Sequence, residues 1–309
     1  MKNIILVVLA MFSLVVCSQT KEKKTDLQKE NLKGRVKSVR EIQYEAVEKF
    51  GQIEKGDMSS GSFRNYLNLY DEQGNQIEKN NYNSDGSLRD KWTYKYDKQG
   101  NLIELNDYNS AGSLDRKWTC KYDEQGNQIE VNNYNSDGSL RDKWTYKYDE
   151  QGNQIEENEY NSDGSLSYKW TYKYDKQGNL IEKNRYNSDG SLDRKWTFKY
   201  DEQGNKIEEN IYNSDGSLSD KWTYKYDKQD NRIEVNNYNS DENLVYKLTY
   251  KYDEQGNKIE INNYNSDGSL DSRYTYKYKY DKQGNWIEKI TYRDDKPKYI
   301  TERTIEYYK

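Results

Sequence analysis

The residues of this chain best suited to hold a ligand are six tryptophans that recur at one fixed spacing. They are Trp92, Trp118, Trp144, Trp170, Trp196 and Trp222. An indole ring offers a flat apolar face with one polar edge, so such a ladder could stack against sugar rings or along a polymer chain. The same spacing suits the packing spine of a sheet. Leu248 and Tyr274 take the equivalent position in later units, and a Leu there favours the spine.

Other site chemistries find little support in the composition. The 309 residues include no His and two Cys, which excludes His-based catalysis, His metal ligands and a Cys₄ zinc site. Asp and Glu recur in every unit, so no two carboxylates stand out as a glycosidase pair. Residues 161–165 (Asn-Ser-Asp-Gly-Ser) faintly resemble a calcium loop, but one Asp per copy favours a plain turn. We therefore predict a non-enzyme with no cofactor and no metal site.

The second cysteine does not indicate a catalytic nucleophile, and the net charge does not indicate a nucleic-acid partner. Cys120 occupies a strand position that holds Tyr or Phe in other units, so it is interpreted as a chance substitution and not as a nucleophile. Lys and Arg number 49 against 54 Asp and Glu, for a net charge of −5. No polybasic surface is indicated, and a nucleic-acid partner is not expected. A glycan or another envelope protein remain the two candidates.

Residues 1–17 have the composition of a secretory signal peptide. Lys2 supplies the positive charge, and residues 4–16 form an apolar run that is short for a membrane-spanning helix. Residues 14–18 (Leu-Val-Val-Cys-Ser) resemble a bacterial lipobox, in which Cys17 would carry the lipid, although Val16 departs from the small residue expected there. Cleavage after Ser18 also fits. Residues 18–33 are polar and are predicted to form a solvated tether.

The body of the chain is one unit repeated in tandem. The pair Tyr-Asp recurs at a 26-residue spacing, with a last interval of 28. Its tyrosines are Tyr70, Tyr96, Tyr122, Tyr148, Tyr174, Tyr200, Tyr226, Tyr252 and Tyr280. Each unit holds two Gly-containing turn signals and two segments of alternating polarity, which is typical of a β-hairpin. We predict an all-β fold of tandem antiparallel hairpins forming a twisted or coiled, solenoid-like meander.

A register follows from the two faces of the hairpin. A four-residue loop at residues 150–153 would pair Asp149 with Gln154, Tyr148 with Ile155, Lys147 with Glu156 and Tyr146 with Glu157. Aromatic rings and Ile would then share one face, and rows of Lys and Glu the other. Ile155 and Tyr160 have opposite parity, so we predict a β-bulge between them that returns both to the aromatic face. The alternative leaves Tyr160 on the charged face.

The ends of the array are expected to act as caps. Residues 34–69 form an N-terminal cap and a degenerate first unit, residues 70–293 carry the repeats, and residues 294–309 add a closing strand. Charged side chains in that strand, such as Arg303 and Glu306, would protect an exposed sheet edge. The sequence leaves open whether the sheet closes on itself.

The string Tyr-x-Tyr-Asp-x-x-Gly-Asn, as at residues 146–153, resembles the RHS/YD repeats of bacterial surface and toxin-associated proteins. The resemblance extends over residues 70–288, which is more than two thirds of the chain. It implies spiralling β-hairpin strips, a surface or secreted setting and a link to carbohydrate binding. The unit here is longer than the family's, the units are too few for a shell, and a toxin domain is lacking. An encapsulating function is therefore not carried over.

Three functions remain in view. The first is an exported structural or interaction protein at the bacterial cell envelope, in the periplasm or at the outer membrane or cell surface, where identical units would suit a repetitive partner. The second is a carbohydrate-binding protein that uses the Trp ladder. The third, suggested by the family resemblance alone, is an accessory or vestigial component of a toxin system. In each case the membrane is contacted only through the N-terminal anchor.

We expect the mature protein to begin with an acylated Cys17, because the lipobox-like segment precedes a polar stretch of the length a tether needs. Mass spectrometry of the mature N-terminus tests this. A lipid-sized mass increase on Cys17 would establish anchoring. An unmodified start at Ser18, Gln19 or a later residue would instead describe a protein without a lipid anchor.

Overall fold

The computed structural model describes residues 24–59 and 65–309. The predicted signal peptide, its predicted cleavage site and Cys17 lie outside these residues. The described chain contains one short helix, α1 (Asp26–Lys29), and 21 strands. The strands are β1 (Val36–Lys49), β2 (Gln52–Met58), β3 (Asn65–Tyr70), β4 (Gln76–Tyr82), β5 (Leu88–Tyr96), β6 (Leu102–Asn109), β7 (Leu114–Tyr122), β8 (Gln128–Asn135), β9 (Leu140–Tyr148), β10 (Gln154–Asn161), β11 (Leu166–Tyr174), β12 (Leu180–Asn187), β13 (Leu192–Tyr200), β14 (Lys206–Asn213), β15 (Leu218–Tyr226), β16 (Arg232–Tyr238), β17 (Leu244–Tyr252), β18 (Lys258–Asn265), β19 (Leu270–Tyr280), β20 (Trp286–Arg293) and β21 (Lys296–Tyr307).

The first turn of each unit is closed by its own Asp. In the turn between β9 and β10, the Asp149 carboxylate accepts the backbone N–H groups of Gln151 at 3.0 Å and Asn153 at 2.8 Å. It also accepts the side-chain amide of Asn153 at 3.0 Å. Gly152 has a φ of 81°, a conformation that Gly adopts without the strain of a Cβ. These local contacts explain why Asp, Gly and Asn recur at fixed positions.

The sheet closes into a barrel of 20 strands, which corrects the prediction of a twisted or coiled, solenoid-like meander and answers the question of closure that the sequence left open. β1 pairs with β3 along one edge and with β21 along the other, while β3 through β21 pair in sequence order. β2 lies outside the ring and pairs with the far end of β1. The antiparallel hairpin meander itself is confirmed.

The prediction that Arg303 protects an exposed edge is wrong because β21 is not an edge. Residues 36–45 of β1 lie against β21. The Arg303 guanidinium contacts the buried Glu41 carboxylate at 2.8 Å, and Ser38 donates to Glu306 at 3.2 Å. The end segments that were expected to cap two free edges are instead joined to each other.

The hairpin register is confirmed at two of its four predicted pairs. Lys147 lies opposite Glu156, and Tyr146 lies opposite Glu157. Tyr148, however, pairs with Gln154, which makes Ile155 the extra residue of a bulge at the start of β10. The Ile155 side chain is 39% exposed and does not join the aromatic face.

Tyr160 lies on the charged face, so the predicted bulge between Ile155 and Tyr160 is also wrong. It pairs with Lys143 on β9, and Glu156, Asn158 and Tyr160 alternate without interruption along one side of β10. The second bulge of the unit is on the neighbouring strand, where Glu159 pairs with Tyr168 and Tyr160 with Leu166. Two bulges on different strands thus resolve the parity conflict.

The aromatic face is the inner face of the barrel. Trp92 on β5 and Trp118 on β7 have ring centroids 5.6 Å apart, although strands separated by a third strand are about 10 Å apart. Rings on alternate strands converge only on the concave side of a curved sheet. The opposite, outer face carries Lys147 and Lys169, whose ammonium groups lie 2.7 and 2.6 Å from the Glu156 carboxylate between them. Charged side chains also occur on the inner face, so the separation is incomplete.

Part of the segment predicted as a solvated tether is folded onto one mouth of the barrel. Thr25 caps α1, and Leu27 and Leu32 are buried against the start of β1. The Asp26 carboxylate accepts the Gln76 backbone N–H at 2.9 Å and the Tyr96 hydroxyl at 3.0 Å. Residues 24–33 therefore run across the rim formed by the Asp-containing turns.

The Lys–Glu rows make folding depend on ionised carboxylates. Burial alone would raise the pKa of Glu156, but hydrogen bonds from Lys147, Lys169 and Asn158 outweigh it and lower the pKa to about 2. Glu104, at the same position of an earlier unit, also has a pKa of about 2. Because the folded-state pKa is depressed, this stability is present above pH ~4.5 and is lost as pH falls towards ~2.

Replacing Glu156 by Gln should lower the free energy of unfolding by about 1–2 kcal/mol at pH 7, since two charge-assisted contacts are lost from a carboxylate that water partly screens. The difference from wild type should shrink as pH falls from ~5 to ~2. Urea unfolding followed by circular dichroism at several pH values measures both. Lys147→Gln, at a side chain that is 67% exposed, serves as the control and should have a smaller effect. If Glu156→Gln lowered the free energy of unfolding at pH 3 as much as at pH 7, the electrostatic account would be contradicted.

Candidate functional site: the lumen wall

The structure places all six ladder tryptophans on the inner face, but it does not assemble them into one continuous stack. Trp118 and Trp144 are buried, at 2% and 9% exposure. The other four are partly exposed. Trp92 stacks on Trp118, Trp170 lies 5.4 Å from Trp196, and Trp222 meets Tyr246 edge-on at 5.7 Å. The ladder thus consists of separate aromatic pairs along the wall.

The units differ from one another chiefly at positions that face the lumen. One such position precedes the Asn of the first strand in eight units and Ile290 in the last unit. Its side chains pair with the ring-bearing positions of both neighbouring strands, as Leu105 does with Tyr94 and Trp118. Across the nine units it holds Lys79, Leu105, Val131, Glu157, Lys183, Glu209, Val235, Ile261 and Lys289. Cationic, anionic and apolar side chains therefore alternate at equivalent places.

Three further inward positions vary in the same way. Together with the position just described, they are called the lumen positions. In the unit that begins at Tyr148 they are Gln154, Glu159 and Tyr168, and the equivalent residues elsewhere include Arg232, Asp107 and Ser272. The outer face is nearly uniform by comparison: the equivalents of Glu156 are Glu in all nine units, and those of Tyr160 are all Tyr. Variation within this single chain is thus concentrated on one surface. This signal is present in the sequence, since the variable residues alternate with constant ones along each strand, but sequence reasoning did not identify it.

The lumen positions divide the wall into sectors of different chemistry. The sector from β5 to β9 contains an apolar cluster, with Tyr94, Leu105, Trp118, Val131 and Trp144 packed together. Cys120 belongs to this cluster, and burial raises the pKa of its thiol to about 12. A thiol held in its neutral form is a poor nucleophile.

The next sector, around β11 to β13, interleaves rings and charges. The Lys183 ammonium lies 3.9 Å from the Trp170 ring centroid and 5.9 Å from that of Trp196. Burial lowers the pKa of Lys183, an effect that the nearby Glu157 opposes. Glu157 in turn accepts the Tyr172 hydroxyl at 2.6 Å. A cation between two indoles, as here, is a favourable contact.

At the seam between β1 and β21 the inner wall is a buried polar network. Glu41 is 3% exposed and accepts the Tyr66 hydroxyl at 2.9 Å as well as the Arg303 guanidinium. Arg303 also lies over the Trp286 ring at 3.6 Å. Sequence reasoning missed this network because Glu41 and Arg303 are 262 positions apart. Its place at the seam indicates a role in closing the barrel.

Metal coordination and membrane insertion through a helix are two further possibilities for such a chain. Among residues 24–59 and 65–309, no group of three or more His, Cys, Asp or Glu side chains is arranged to hold a metal ion. Within the same residues, no helix has the length and apolar character needed to cross a membrane.

Comparison with known proteins gives structural likeness without a family. No protein-family model and no curated protein matches the sequence. A porin-like protein from Bacteroides uniformis ATCC 8492 is 12% identical with a TM-score of 0.32, and the match covers 88% of this chain and 96% of that one. A porin-like protein from Bacteroides vulgatus ATCC 8482 is 15% identical with a TM-score of 0.30, over 72% and 95% of the two chains. The Photorhabdus luminescens Tc holotoxin pore is 13% identical with a TM-score of 0.20, over 77% of this chain and 19% of the other. Such scores assign no family, and the RHS/YD resemblance stays a prediction.

Asp107 is a lumen carboxylate whose ionisation opposes folding. Burial, together with the charges of Asp90 and Asp115, raises its pKa to about 7, against the opposing charge of Arg116. Because the folded state holds the proton more tightly than the unfolded chain does, this group lowers stability progressively as pH rises from ~4 to ~7.

Asp107→Asn should therefore stabilise the barrel by about 1–3 kcal/mol at pH 8 and have little effect at pH 4. Asn occupies the equivalent position as Asn81 and Asn133, so the side chain fits. Urea denaturation at the two pH values measures the difference. Asp115→Asn, at a bulge residue with an exposed carboxylate, is the control and should change stability less. A stabilisation of the same size at both pH values would rule out the titration as its cause.

Proposed function

We propose that this chain is an exported, non-enzymatic barrel protein of the bacterial cell envelope, and that its lumen wall binds a glycan. The observation that carries the proposal is the concentration of unit-to-unit variation at the lumen positions. In a repeat protein, each unit needs the same contacts to stack on its neighbours. Positions at which the units differ are not fixed by this stacking, and their side chains are available to a ligand.

The chemistry of the lumen wall favours a sugar ligand. Partly exposed Trp170, Trp196 and Trp222 offer apolar ring surface, and hydroxyl and carboxyl groups such as those of Tyr172 and Glu157 stand beside them. Sugar rings combine an apolar face with hydroxyl groups that need hydrogen-bond partners. Aromatic surface with a few placed polar groups is the usual composition of a ligand site.

The outer surface supports a barrel that stands in water. A membrane-spanning barrel turns a continuous apolar band outwards. Here the outward rows across the middle of the strands are Lys, Glu, Asn and Thr, with Lys147, Glu156, Asn158 and Thr171 as one example. The outward Ile and Tyr side chains lie towards the two ends of the strands. We therefore place the barrel beside the membrane, held only by the proposed lipid on Cys17.

The other two hypotheses have less support in the geometry. A purely structural role would not explain why the inner face differs between units while the exposed outer face is constant. A role as an accessory to a toxin system has no observation in its favour among the described residues. Both remain alternatives to the glycan-binding function.

Replacing Trp170 and Trp196 together by Ala should weaken binding of a lumen ligand by roughly tenfold to a hundredfold, since stacking contacts of about 1–3 kcal/mol are removed. A glycan array identifies the ligand with wild-type protein, and isothermal titration calorimetry then compares the variants.

The matched control is Tyr160→Ala with Tyr186→Ala, which removes two rings from the outer face of the same part of the barrel. Circular dichroism establishes that both double variants are folded. Equal losses in the two variants would count against the lumen as the binding surface. A wild-type protein that binds no glycan on the array would refute the proposed function.

A further inference from the structure

Three cationic side chains form a row on the lumen wall near the mouth that residues 24–33 cross. Lys206, Arg232 and Lys258 are the first residues of β14, β16 and β18 and occupy the same lumen position in three successive units. Alternate strands place them about 10 Å apart. In the other units this position is uncharged: it holds Gln76, Leu102, Gln128, Gln154, Leu180 and Trp286. The row is therefore a local feature and not a property of the repeat.

Each cation of the row lies over the aromatic rings of the neighbouring strands. Lys206 is 5.3 Å from the Phe198 ring and 4.9 Å from the Tyr224 ring. Arg232 lies between two rings, 5.7 Å from Tyr224 and 5.8 Å from Tyr250. Lys258 is 4.6 Å from the Tyr250 ring. The rings hold the stems in place and orient the charged ends, but they do not neutralise the charge.

Only one end of the row has an anionic partner. The Lys206 ammonium contacts the Glu209 carboxylate at 2.5 Å. Among the described residues, neither Arg232 nor Lys258 forms an ion pair, although most of the outer lysines in this part of the barrel do. The Asp residues of the adjacent turns have other partners: Asp227 accepts Asn231 and Asp253 accepts Asn257 within their own loops. Asp230 accepts the side-chain amide of Asn205 at 2.8 Å.

The like charges of the row repel one another in this half-buried setting. Burial lowers the pKa of Lys258, and the charge of Arg232 lowers it further. Arg232 is exposed to solvent. Within the described part of the chain, Arg232 and Lys258 thus lack an ion-pair partner, in a protein whose net charge of −5 reflects an excess of carboxylates. Uncompensated positive charge in an accessible wall, beside rings, is the arrangement that a bound anion would stabilise.

We propose that the Lys206–Arg232–Lys258 row binds anionic groups spaced along a sugar chain, so that the ligand of the lumen is an acidic glycan carrying carboxylates or sulfates. This inference rests on the proposed function and specifies its ligand class. Arg232 and Lys258 contact the charged substituents, while buried Tyr224 and half-buried Tyr250 hold their side chains in place. Arg232 supplies the planar, bidentate donor that a carboxylate or sulfate accepts best.

The experiment compares acidic oligosaccharides with neutral counterparts of the same backbone. Short oligogalacturonate is set against its methyl ester, and dextran sulfate against dextran, by isothermal titration calorimetry at low and at moderate salt. The first pair tests carboxylate and the second sulfate. We expect at least one acidic member to bind about tenfold or more tightly than its neutral counterpart, with an affinity that falls as salt rises.

The variant Arg232→Gln with Lys258→Gln should remove that preference and its salt dependence while leaving binding of the neutral counterpart unchanged. The matched control is Lys225→Gln with Lys251→Gln, which removes two charges from the outer face of β15 and β17. It should retain the preference.

The outcomes separate the two proposals. Binding of a neutral glycan with no gain for its acidic form would overturn the anionic ligand and leave the glycan-binding function standing. If the protein binds none of the four probes and no glycan on the array, both proposals are overturned. An equal loss of preference in the outer control would show that net charge, and not this row, attracts the acidic chain.

Discussion

The double pairing of β1 is the constraint on which the rest of the structure depends. Its residues 36–45 hydrogen-bond along one side to β21, and residues 38–42 pair along the other side with β3. Since these partners are the first and last strands of the array, their joint pairing converts a strip with two edges into a ring. Barrels remove the exposed edges at which sheets aggregate. Closure also creates the two environments that the repeat fills, a charged exterior and an aromatic lumen.

The repeat accommodates this curvature with two bulges per unit. One extra residue at Ile155 and another at Ser167 shift the register near each end of the strand pair. Bulges bend the strand and increase its local twist, so a pair in every unit spreads the bend evenly around the ring. The same bulges turn Ile155 outwards and keep Tyr160 beside the Lys rows. The constant length of the repeat therefore reflects the number of residues needed to form two strands, two turns and two bulges.

The hairpins could be predicted because their causes are local. Each Asp149-type turn is stabilised by contacts within the turn itself, and each Lys147–Glu156 pair lies across one turn. Closure could not be predicted in this way, because Glu41 and Arg303 meet only after every intervening strand is in place. The bulge positions were also missed, since polarity alone does not reveal where one strand holds an extra residue. For the site, the Trp spacing indicated a shared face, but only curvature shows that this face is the lumen.

The contrast between the two faces has a physical meaning beyond stability. Lys147 is 67% exposed, and a position of this kind usually tolerates many polar residues at little cost. It is nevertheless Lys in every unit from Lys95 to Lys279, while the lumen positions, which are more buried and ordinarily more restricted, range from Leu105 to Glu157 to Lys183. Recent duplication alone would have left both faces equally uniform. Packing alone would have kept the inner face constant and let the outer one vary. The pattern at the lumen positions is the reverse, although the Trp positions of the inner face are nearly constant. It is expected if the charged exterior is needed to join identical units and the lumen positions are shaped to a ligand whose chemistry changes along the wall.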